Sequence, residues 1–234
     1  MERTKKQHYI SQSILKKFFD TDKIKEYNLL TNKNYGISTE NSMCCSDIYE
    51  CDIFDDNRLE AAFAALYDGQ FATAMDNINK SLYEDRIEDA ILLLKKNYYY
   101  YMVSYYKSLA SLIRLSANDE NKLDKNISTK KMFDFITDVK YMNQLSLILT
   151  NCYKIYFLES DNSNFILSDQ FISTASNHFN GVFSNISNRD IGVKGSMLFL
   201  PISKDYYALL GDKNFNFEYD ELKINKLSQI QTKK

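Results

Sequence analysis

Between Asn57 and Leu158 apolar residues recur every three or four positions, a period that only helices present to a core. Leu59, Phe63, Leu66, Ala74 and Ile78 line one stripe of a first helix, which Asp56 or Asn57 can cap. A second, from about Asp85 to Ala117, carries Ile87, Ile91, Leu94, Tyr98, Met102, Tyr105, Leu109 and Leu112 on its apolar side. The polar run "SANDENKLDKNIS" then leads to a third, Thr129 to Leu158, with Met132, Phe135, Ile136, Val139, Met142, Leu149 and Tyr153 inward.

Only the two ends are left for other structure. In "KKQHYISQSILKKFF" the residues Ile10, Ile14, Leu15, Phe18 and Phe19 predict a short helix opened by Ser11 or Gln12. "KIKEYNLL" and "NYGIS" around "TNKN" read as a hairpin, and "CCSDIYECDIF" as an extended segment. "FILSD" at 165–169 has the pattern of a buried strand, and "SMLFLPISKDYYALLGD" at 196–212 that of two strands joined by a turn at Pro201 to Asp205. Between them, 170–195 reads as one long Ser- and Asn-rich loop, a length that is usually functional or mobile. From Tyr219 a last amphipathic helix precedes the tail "QTKK". The expectation is one α+β domain over residues 1–234, predominantly helical. Three long helices (57–158) pack on a small mixed sheet built from the early hairpin (within 1–56) and the strands around Asp169 and Pro201 (within 159–234).

With 44% hydrophobic residues in 234, such a domain can bury a sizeable core. A formal charge of −2 argues against an overall electrostatic grip on nucleic acid, although a local basic groove stays open. "MERTKKQHYISQ" lacks the apolar stretch of a secretory signal, and no run approaches the roughly 20 apolar residues of a bilayer span. The expectation is a cytoplasmic protein without a membrane partner, its four cysteines (Cys44, Cys45, Cys51, Cys152) present as thiols. Cys-Cys-x5-Cys contains no Cys-x-x-Cys pair, and only His8 and His178 offer imidazoles, which argues against zinc. The chain has no phosphate-cradling Gly-x4-Gly-Lys-Ser/Thr, Gly-x-Gly-x-x-Gly, His-Glu-x-x-His or Gly-x-Ser-x-Gly. P-loop, dinucleotide, zincin and α/β-hydrolase chemistries are therefore disfavoured.

His8-Tyr9-Ile10-Ser11-Gln12-Ser13-Ile14-Leu15-Lys16-Lys17-Phe18 resembles the opening His-Tyr-Val-Pro-Gln-Phe-Tyr-Leu-Arg-Arg-Phe of a large bacterial family catalogued as a domain of unknown function, with Ser11 in place of the proline. Further segments are similar in the family's order. They are "CCSDIYE", the pair Leu59-Glu60 opening a long helix, Arg114 closing the next, "FILSDQF" against Phe-Ile-Thr-Ser-Asp-Asn-Pro, and "LFLPISKDYYALL" against a Phe-Pro-Leu-Ser-Pro strand pair. Where the family has a second glutamate beyond the first, this chain reads Tyr67-Asp68, and Gln170-Phe171 replaces Asn-Pro. The resemblance implies the fold and the candidate positions, and a setting in defence against phage. It carries no reaction.

His8, Glu60 and Asp169 form the candidate catalytic set, because an imidazole with two carboxylates can exchange protons near neutral pH, and Glu60 and Asp169 can hold a divalent metal such as Mg or Mn. Each also has a structural alternative. Glu60 suits a helix N-terminus, Asp169 a turn, and His8 a hydrogen bond at the first turn. On the sequence alone these separate roles outweigh the shared site by a small margin. Arg114 and Gln7 are the candidate substrate-binding residues. Arg114 suits phosphate, but its helical row Ala110, Lys107, Val103, Tyr100, Lys96 reads as a largely solvated face. "NYYYYMVSYYK" could stack nucleobases; six tyrosines in nine positions must however point all round a helix, which fits a central packed one better. The acidic run Glu50, Asp52, Asp55, Asp56 reads as a solvated corner that could extend a metal site.

The residues thus lead to an expected metal-assisted hydrolase, a nuclease or nucleotide hydrolase, with nucleic acid or a nucleotide as partner. The competing expectation is a non-enzymatic sensor or scaffold that binds a phage or host protein through residues 170–195 or the tyrosine-rich helix.

Overall fold

The computed structural model describes residues 6–19, 23–28, 31–50, 58–116, 127, 130–131, 134–161, 165–179, 182–185, 191–192 and 195–213, with the backbone alone described at 113–116, 176–179 and 182–185. The expected cap at Asp56 or Asn57, the linker from Ala117 to Asn126, the helix from Tyr219, the Arg114 side chain, Cys51 and the acids Asp52, Asp55 and Asp56 lie outside the described residues.

The chain begins with β1 (Lys6–His8) and turns at Ser11 into α1 (Gln12–Leu15), which tightens into a 3-10 turn to Phe18. Ser11 adopts φ −62°, the value a proline at this place would impose, and its carbonyl accepts from the Ile14 and Leu15 amides. Its hydroxyl is turned to Ser13 and makes no cap bond. The expected hairpin is present as β2 (Lys23–Asn28) and β3 (Lys33–Ser38), a two-stranded sheet of its own. β4 (Cys44–Ser46) pairs antiparallel with β1, setting Cys44 opposite His8.

The helical middle follows as α2 (Arg58–Phe63), a π-helical turn at Ala64–Asp68, α3 (Gly69–Tyr83), α4 (Ile87–Lys96), α5 (Tyr98–Ser116) and α6 (Val139–Cys152). Of the three long helices expected, only α5 stands as one. The segment from Asp85 is divided at Asn97, whose side-chain amide donates to Leu93 O at 2.7 Å while its carbonyl accepts from the Tyr100 and Tyr101 amides. That closes α4 and opens α5 at a single residue. The third segment is divided at Asp138, with residues 130–131 and 134–137 helical before it; the Asp138 carboxylate accepts from Tyr141 N and starts α6, and at Tyr153 the aromatic and β-branched run passes into a strand. Among the described residues, no helix is long and apolar enough to cross a membrane.

The main sheet has five strands: β5 (Tyr153–Glu159), β6 (Ser173–Phe179), β7 (Val182–Asn185), β8 (Ser196–Pro201) and β9 (Tyr206–Asp212), in the order β5-β9-β8-β6-β7. Every pairing in it is antiparallel, so the expected mixed sheet including the early hairpin is corrected. β8 and β9 are buried along their whole length, as their continuous apolar sequence requires. Residues 170–195 are not one loop, because β6 and β7 lie within them; Thr174 and Ala175 are buried where β6 pairs with β8. Nor is 165–169 a strand. Ile166 is exposed, and the segment is held by Phe165 N donating to Lys204 O and by the Tyr207 hydroxyl donating to Ile166 O.

Helices and sheet meet around Tyr101. Its ring is edge-on to Phe71 at 4.8 Å and stacked on Phe171 at 6.0 Å, and its hydroxyl donates to Pro201 O at 3.1 Å. Phe171 reaches this core from a tight turn with φ +65°, in which Ile172 N donates to Gln170 O.

Candidate functional site

Lys107 sits on α5 with its side chain only 4% exposed, its ammonium over the touching rings of Phe63 and Tyr49, whose centroids lie 4.5 and 5.6 Å from it. A buried ammonium needs a compensating charge, and Asp68 supplies one at 3.7 Å. The π turn makes this geometry. Its i to i+5 bonding sets Asp68 above Phe63 on one face, where a plain α-helix would have swung it round by about 140°. The same extra residue turns Leu66 out to 57% exposure, against the stripe expected from the sequence. The row Lys107–Val103 is therefore buried, and the reading of it as a solvated face is corrected.

Glu60 lies in the first turn of α2, on the helix that also carries Phe63 and Asp68. Burial pushes its carboxyl up from the ordinary value; Lys107 works against that push, while Asp68 and Glu50 add to it. Its Oε2 is buried and has no hydrogen-bond partner among the described residues. A buried carboxylate oxygen left unpaired costs free energy, so this atom either keeps a proton or awaits a ligand.

His8 ends β1 and is nearly buried. Burial pushes its pKa below the ordinary 6.5; Lys107 adds to that, while the Thr39 carbonyl and Asp68 oppose it. Its Nε2 lies 3.3 Å from Thr39 O and 3.4 Å from Gln12 Nε2. A protonated Nε2 donates to Thr39, and a bare one accepts from Gln12, so both ring tautomers find a partner.

Beneath His8, Gln7 is fully buried. Its Oε1 accepts from Tyr49 N at 2.7 Å and its Nε2 donates to Glu50. The Tyr49 hydroxyl donates to His8 O at 3.0 Å. Gln7 thus has its amide spent within the protein, holding Tyr49 beneath the imidazole and Glu50 near Glu60. Burial drives the Tyr49 phenol well up, with the Ser111 hydroxyl opposing, so it stays a neutral donor.

Beside this cluster runs a narrow slit lined by Tyr9, Ser11, Asp68, Ser104, Lys107 and Phe171, among others, which has no room for a substrate until its walls part. Asp169 stands exposed beside Phe171, within reach of the Ser168 hydroxyl, and its charge acts on Tyr9. Burial first, and Asp169 second, raise the Tyr9 phenol. The structure therefore brings His8 and Glu60 together around Lys107 and Asp68, and sets Asp169 apart beside Tyr9. No hydrogen bond joins the three directly among the described residues. Arg114 lies two turns beyond Lys107 and so on the same face of α5.

Glu60 and Asp68 offer hard oxygen donors of the kind Mg or Mn takes. No group of three His, Cys, Asp or Glu side chains that could hold a metal ion is found among the described residues, so a cation bound here would draw other ligands from substrate or water. Lys107 and Asp68 are the site residues that sequence reasoning missed. The signals were a lysine inside an aromatic helical run and an acid in the stretch where a second carboxylate was sought. No curated protein and no solved structure matches the chain. A family model described as a protein of unknown function, DUF4238, matches residues 6–233, and the chain belongs to that family.

Proposed function

We propose that the slit and the charged cluster behind it form the active site of a hydrolase acting on phosphate esters, a nuclease or a nucleotide hydrolase, in the setting of phage defence that the family resemblance implies. The observation that carries this reading is the unpartnered buried oxygen of Glu60 beside a buried ammonium and an imidazole kept neutral by burial. His8 takes the proton of the attacking water, because a neutral ring with a depressed pKa is free to accept one at pH 7. Lys107, with Arg114 further along the same helical face, neutralises phosphate charge. Gln7 and Tyr49 are positioning residues that hold the His8 backbone. Glu60 and Asp68 are the residues that would hold Mg or Mn, whose charge would stabilise negative oxygen, while Asp169, the ligand expected from the sequence, stands apart beside Tyr9.

The test is hydrolysis of labelled oligonucleotides and nucleoside phosphates with Mg or Mn present. His8→Ala and Glu60→Gln are expected to lose about a hundredfold or more in rate while remaining folded. The rate should fall on the acid side only below pH 6.5, as His8 protonates. Folded variants with full activity would end the proposal.

A second reading, a sensor or scaffold binding a phage or host partner, is favoured by the half-exposed cluster of Tyr67, Tyr99 and Tyr100. There the Tyr67 and Tyr99 rings stack at 5.9 Å with their hydroxyls 3.0 Å apart. In that case Tyr99→Ala would abolish function and His8→Ala would not.

A further inference from the structure

On the far side of the Tyr153 strand from this cluster in sequence, a recess of about 360 Å³ opens between α4 and β5, lined by Ile91, Lys95, Tyr153, Lys154, Ile155, Tyr156 and Lys213. Its three ammonium groups come from α4, from β5 and from the residue that follows β9, and the fold converges them. Ile91 and Lys95 are four residues apart on α4 and so share a face. In the β5–β9 ladder Lys154 lies opposite Gly211, and Lys213 N donates to Cys152 O at 2.8 Å, one step past the Tyr153–Asp212 pair. Alternation then puts Lys154 and Lys213 on the same face of the sheet as diagonal neighbours. Asp212, the acid nearest in sequence, falls on the other face, where its Oδ2 accepts from Gly195 N at 2.7 Å. No acidic side chain lines the recess, and none of the three lysines has an ion pair among the described residues.

All three lysines are exposed, so water screens their mutual repulsion, and their positive field is directed at an anion entering the recess. The rest of the lining is apolar or aromatic, and the volume lies in the range of small-molecule sites. We propose that this recess binds a small phosphate-bearing molecule with an apolar or aromatic body, of the class of a nucleoside diphosphate. Lys95, Lys154 and Lys213 take the phosphates, and Ile91 and Tyr156 take the body. The inference does not depend on the hydrolase reading, since the two sites share no residue.

Calorimetric titration of the full chain with ADP and with pyrophosphate tests it. The parent is expected to bind ADP saturably and more tightly than pyrophosphate. Lys154→Ala/Lys213→Ala should weaken ADP at least about tenfold. Lys80→Ala/Lys130→Ala, which removes the same charge elsewhere on the surface, should leave it unchanged. Absence of saturable ADP binding up to about 5 mM, or equal weakening in the two double variants, would overturn the proposal. Equal affinity for ADP and pyrophosphate would overturn the part given to the apolar wall.

Discussion

Glu60 and His8 are pulled by burial in opposite directions, and the consequences for stability differ in sign. Glu60 titrates above its ordinary 4.5 in the folded protein, so its contribution is full below pH 4.5 and is lost as pH rises through the folded value. His8 titrates below 6.5, so its contribution is full above pH 6.5 and is lost as pH falls through its folded value. Glu60→Gln, which is neutral at every pH, should therefore melt higher than the parent at about pH 8 and alike at about pH 4.5. Thermal melts at the two pH values check this, and a lower melting temperature at the higher pH would show that Lys107 depends on Glu60 more than burial penalises it.

At the scale of elements, the π turn is the device that matters, because it lets one helix present Glu60, Phe63 and Asp68 to the same lysine. Ala65 is exposed within it, and deleting Ala65 should return the turn to plain α-helix with both flanking stripes in phase. Far-UV circular dichroism should then show unchanged helix content, and Asp68, now four residues after Phe63, should stay on the face turned to Lys107, so that any hydrolytic rate is retained. A lost rate would show that the wide turn itself, and not only the placing of Asp68, is needed. This element also explains what could be read beforehand. His8 and Glu60 were visible as ionisable groups set against apolar runs. Lys107 was not, since a constant 3.6-residue period places it on the row of exposed Lys96, and Asp68 was not, since a period cannot reveal an inserted residue. The segment before Asp169 was read as a strand because "FIL" resembles one, whereas Ile166 points to solvent. β6 and β7 were hidden by a Ser- and Asn-rich composition that reads as loop, although pairing with β8 fixes one of them in the sheet.

For the whole molecule, the Tyr101 hydroxyl is the hydrogen bond that ties the helices to the centre of the sheet. Tyr101→Phe keeps the ring contacts with Phe71 and Phe171 and leaves Pro201 O without that donor. A loss of about 1–2 kcal/mol is expected, seen as a melting temperature lower by several degrees. An unchanged melt would mean that ring packing alone joins the two layers. The three-pair ladder of β1 and β4 has a wider consequence. It anchors His8 to a stretch some forty positions along, while the other partners of the cluster come from α2 and α5 and the slit's far wall from residue 171. Such a cluster cannot be transplanted as a fragment, nor can it assemble before residue 171 has been made. A ribosome that has released only the first half of the chain holds its parts still ungathered.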